Sequence, residues 1–120
     1  MDRDSRRTAH QEFQWENIMK NLTLIVHADI QRSLADVLHS LEQVTGFTFT
    51  QVEGHGPQAE YDSALSARDL VIGYTPHVRV DILLKDEDVE AVLQALRDAD
   101  CGLAGRGIFQ VTAVELQGAL

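Results

Sequence analysis

Two segments of this chain echo one another, Asp36-Val37-Leu38-His39-Ser40-Leu41 and Ala91-Val92-Leu93-Gln94-Ala95-Leu96. Each has a helical pattern and lies between two runs of strand character, so the chain reads as two strand–helix–strand halves. In the first half, Leu22 to His27 predicts a strand, short and rich in β-branched residues. Asp29 is the expected N-cap of a helix from Ile30 to about Gln43, with Leu34, Val37, Leu38 and Leu41 as its buried stripe. Gly46 ends the connection, and Phe47 to Val52 predicts a second strand. In the second half, Val71 to Leu84 has strand character, with Val78, Val80, Ile82 and Leu84 on one face and Arg79, Asp81 and Leu83 on the other. Asp86 is expected to cap a second helix to about Arg97, with Glu87 and Asp88 in its first turn and Val89, Val92, Leu93 and Leu96 facing inward. A Gly-rich turn, Gly102 to Gly107, leads into a last strand, Ile108 to Val114. Two such units with right-handed crossovers interleave into a four-stranded antiparallel sheet with both helices on one face. The expected class is α+β, ferredoxin-like β-α-β-β-α-β.

Helices on one face leave the other uncovered. Ile25, His27, Arg79, Asp81 and Leu83 belong to that open face. An Ile and a Leu beside an Arg-Asp pair suit burial against another subunit. Between the second and third strands, Gly54-His55-Gly56-Pro57 is a strong breaker cluster, and the polar, small residues from Gln58 to Ala67 predict a long loop.

The first 18 residues differ from the rest, with Phe13, Trp15 and Ile18 as their only large apolar groups. The expected organisation is an N-terminal extension, 1–18, and one domain, 19–120. Ten Lys and Arg against 19 Asp and Glu give a net charge of −9, which argues against nucleic acid or an anionic membrane as partner. No apolar run reaches the ~20 residues that span a bilayer, so direct membrane insertion is not expected. No secretory signal is visible. A single cysteine, Cys101, excludes an internal disulfide and fits a reducing, cytoplasmic setting.

The sequence assembles no catalytic constellation: it has no Gly-x-Ser-x-Gly elbow, no phosphate-cradling loop and no paired nucleophile and base. Cys101, between Asp100 and Gly102, reads as a small residue packing after the helix, not as a nucleophile. A binding protein is expected, not an enzyme. Three histidines are candidate metal ligands: His55 in the loop, with His27 and His77 meeting where strand one ends beside the start of strand three. They lack Cys-x-x-Cys or His-x-x-x-His spacing.

Thr48-Phe49-Thr50-Gln51-Val52-Glu53-Gly54-His55-Gly56-Pro57-Gln58 resembles the segment of PII-type signalling proteins that ends strand two and opens their long T-loop. Ala67 to Ile82 resembles the return of that loop into strand three, and Ile108-Phe109-Gln110-Val111 the final strand after the B-loop. The resemblance implies a homotrimer that binds an adenine nucleotide in clefts between subunits. It also implies that the 54–74 loop grips or releases a protein partner, such as a membrane transporter. By position, Ile25 and Thr48 match the adenine pocket. Gly54, Gly56 and Gln58 match the glycine-rich loop base, where Gln helps hold a metal and an oxo-acid.

The departures are equally specific. Pro57 stands where PII proteins place a basic residue, and Gly107 stands in place of the phosphate-binding Lys of the B-loop, leaving Arg106 as the nearest cation. Leu70 replaces the modified tyrosine, and the tail Gln117-Gly118-Ala119-Leu120 carries no basic residue. A triphosphate needs preorganised cations to offset its lost hydration, so a ligand with few phosphates is expected. Thr45-Gly46-Phe47, Val71-Ile72-Gly73-Tyr74 and the short tail resemble a divergent PII-like branch associated with heavy-metal efflux systems. The alternative is a metal-responsive module, similar to divalent-cation-tolerance proteins, with His27, His55 and His77 as ligands of a divalent metal.

Overall fold

The computed structural model describes residues 18–55, 75–103 and 106–120. The expected extension, apart from Ile18, and the loop residues Gly56 to Tyr74, with Gly56, Pro57, Gln58 and Leu70, lie outside the described residues. Strand β1 is Met19–His27, helix α1 Gln31–Ser40, β2 Phe47–Gly54, β3 Thr75–Lys85, helix α2 Val89–Asp98 and β4 Ile108–Ala113. The four strands form one sheet in the order β2-β3-β1-β4, antiparallel throughout. The chain therefore has the ferredoxin-like α+β fold.

Alternation along the central strands builds the core. Leu22, Leu24 and Val26 of β1 and Val78, Val80, Ile82 and Leu84 of β3 are all buried beneath the helices. They meet Leu34 and Leu38 of α1 and Val89, Val92, Leu93 and Leu96 of α2. Burying each such side chain stabilises the fold by about 1.5–3 kcal/mol. Val37 and Leu41, expected in the α1 stripe, are only partly buried at its edge. Phe47 and Phe49 of β2 pack on the core edge-to-face, with ring centroids 5.5 Å apart.

Both helices begin differently from the sequence expectation. Each strand runs straight into a tight 3₁₀ turn, Ala28–Ile30 after β1 and Asp86–Asp88 after β3. No free loop residue separates strand from turn, so the chain reverses through the tighter winding before the α-helix starts. Asp29 is consequently not a cap. Its backbone N–H is instead capped by the side chain of His27, whose Nδ1 accepts it at 3.1 Å. Asp86 likewise lies inside its turn, and no side chain caps that turn or α2. Helix α1 stops at Ser40, short of Gln43, where the Leu41 N–H turns back to Leu38 O.

Candidate functional site

The face opposite the helices carries Asn21, Thr23 and Ile25 of β1, Arg79, Asp81 and Leu83 of β3, Thr48 and Thr50 of β2, and Ile108, Gln110 and Thr112 of β4, as the strand registers require. His27, grouped with this face from the sequence, is only 2% exposed, its ring folded back to cap the following turn.

Asp81 organises the centre of this face. It sits opposite Thr23 in the β1–β3 register, and Thr23 Oγ1 donates to its Oδ1 at 2.9 Å. Asn21 Nδ2 donates to the same oxygen at 3.1 Å. From two residues back on its own strand, Arg79 donates Nε to Oδ2 at 3.1 Å and Nη2 to Oδ1 at 3.2 Å. A planar guanidinium fits a carboxylate in this forked way, and such charge-assisted bonds are the stronger kind. Partial burial pushes the Asp81 carboxyl up, but the bonds from Arg79, Asn21 and Thr23 outweigh it and hold the pKa below the ordinary carboxylate value. A carboxylate depressed in the folded state contributes stability that is complete above its unfolded pKa, about 3.9, and is lost as pH falls through the folded value. The substitution Asp81→Asn is therefore expected to lower the melting temperature at pH 7 and to narrow that deficit below about pH 4. Thermal melts by circular dichroism from pH 7 to pH 2 check this; parallel curves would contradict it.

Ile25 and Thr48, the adenine-pocket matches, lie on this face at either side of the network. Ile25 is half-buried and stands opposite both Arg79 and Ile108, whereas Thr48 is exposed opposite Asp81. They sit on strands flanking β3, about 12 Å apart, two strand spacings across and two residues along. Arg79 and Asp81 lie between them. Sequence reasoning placed these two on the face but missed the bonds that Thr23 and Asn21 donate to Asp81, because the register that brings residue 81 opposite residue 23 is not written in either strand alone.

The point where the expected long loop would leave and rejoin the sheet is built at the other end of β3. Gly54 pairs with Thr75, and a side chain at 54 would run into the His77 ring, which leans over it. His77 Nδ1 donates to Thr75 O at 3.0 Å and fixes the ring there. His27 and His77 pair across β1 and β3, with ring centroids 6.1 Å apart. His55 is exposed, its Nε2 3.3 Å from Glu53 Oε2. Nδ1 of His27 and of His77 is thus engaged by the backbone. Among the described residues, no three His, Cys, Asp or Glu side chains converge as metal ligands would. The metal-responsive alternative gains no support from them.

Arg106 lies just before β4. Its N–H bonds to Leu103 O at 2.9 Å, and its Nη1 reaches Gly102 O at 3.4 Å. Gly102 has φ +87°, the left-handed conformation that glycine adopts at no steric cost. Position 107 is closed in: a Cβ there would stand 3.1 Å from Val26 Cγ1 and 3.2 Å from Leu103 Cδ2. A side chain there would need Val26 and Leu103 to shift by a few tenths of an ångström. Cys101 is buried, and its carbonyl accepts the Ser33 hydroxyl at 3.2 Å. Among the described residues, no helix is long and apolar enough to cross a membrane.

A family model described as a protein of unknown function, DUF3240, matches residues 18–119. The nitrogen regulatory protein P-II of Rhizobium meliloti is 34% identical over 85 residues, 68% of this chain and 76% of that protein. P-II 2 of Methanothermobacter thermautotrophicus is 29% identical over 100 residues, covering 81% of this chain and 84% of that one. Among solved structures, a DUF3240 family protein from Shewanella baltica shares the fold, with a TM-score of 0.67 at 20% identity over 86% of this chain and 97% of its own.

Proposed function

Since the chain belongs to the DUF3240 family and is a relative of the P-II nitrogen regulatory proteins, we propose that it is a PII-like regulatory protein, working as a homotrimer. It senses a small ligand, an adenine nucleotide with few phosphates, in clefts between subunits. The 54–74 loop carries the signal to a protein partner such as a membrane transporter. The role is one of binding and needs no catalytic group. It sits in the cytoplasm, where a lone thiol such as Cys101 stays reduced.

The observation that carries this reading is the open sheet face. Arg79, Asp81, Thr23 and Asn21 form a bonded polar network there, flanked by half-buried Ile25 and Leu83. An exposed ion pair in water is worth only about 0–1 kcal/mol, so a solvated face has little use for so many ordered partners. Beneath another subunit the same network fixes which registration is allowed, since a wrong one leaves a charge unpaired. Ile25 and Thr48 then flank the network where a flat base would lie. Arg106 supplies the phosphate contact.

The working domain is residues 19–120, with 1–18 as an extension. Light scattering on the whole chain, and on a chain beginning at Met19, tests both parts of this reading. Each is expected to show a mass of three chains, near three times 13.4 kDa for the whole chain and proportionately less for the shorter one. A single-chain mass at micromolar concentration would overturn the trimer. Loss of assembly only in the shorter chain would overturn the domain division.

A further inference from the structure

We draw no further inference here: the strongest candidate, the side-chain pair of His27 and His77 beside Gly54 where β1 ends and β3 begins, belongs to the loop base already described, and among the described residues nothing converges on it to say what it would bind.

Discussion

Leu83→Glu is expected to leave the fold of each chain intact and to abolish assembly. Leu83 stands on the open face opposite Asn21, two residues from Asp81, and is half-buried in the single chain. A glutamate there is solvated while the chain is alone, so folding loses little. Once the face is covered, each subunit must bury a second carboxylate next to Asp81, whose Arg79 partner is already engaged at both oxygens. An unpaired buried charge costs several kcal/mol, and a symmetric assembly meets that cost at every copy. Light scattering should therefore shift from three chains to one, with the far-ultraviolet circular dichroism unchanged. Leu83→Val, which keeps the apolar contact, should remain assembled. A glutamate variant that stays trimeric would mean that this face is not the interface.

Gly54→Val should cost about 1–3 kcal/mol, the usual range for overpacking a filled site. Gly54 does not have a positive φ, so the requirement is one of space. The His77 ring occupies the position of its missing side chain, and Thr75 O lies 3.2 Å from a Cβ there. Removing the ring should restore much of the loss. In urea unfolding, Gly54→Val with His77→Ala should lose less than the two single variants combined. Strict additivity would show that the ring is not what excludes a side chain. Under the proposed function, the same substitution should also blunt the signal assigned to residues 54–74.

Much of this fold is legible in the sequence because its periods are clean. Val78, Val80, Ile82 and Leu84 alternate without a break, and each is buried. Val89, Val92, Leu93 and Leu96 likewise hold one helical stripe. The helix starts are less legible. An Asp before an apolar stripe looks like a cap, yet whether its side chain or its N–H is used depends on how the preceding strand ends. Here His27 supplies the cap, and a capping histidine looks in sequence like any other. The site is legible only in outline. Ile25, Arg79 and Asp81 are assigned to one face by alternation, but Thr48 is not, and the bonds from Thr23 and Asn21 to Asp81 depend on pairing across 58 and 60 residues. The tight packing around Gly107, between Val26 and Leu103, is likewise visible only once the strands are assembled.

The cleft proposed above recognises adenine and holds few phosphates. Arg106 is its expected phosphate contact, and Gly107 and Pro57 stand where PII proteins place cations. Each charge-assisted hydrogen bond is worth about 1.5–3 kcal/mol, so two missing ones weaken a triphosphate on the order of a hundredfold or more. Isothermal calorimetry of the assembled protein with AMP, ADP and ATP, each with and without magnesium, measures this directly. The expected result is binding of AMP with ATP no tighter, and an Arg106→Ala variant that loses affinity for all three. Submicromolar binding of ATP, tighter than AMP, would contradict it.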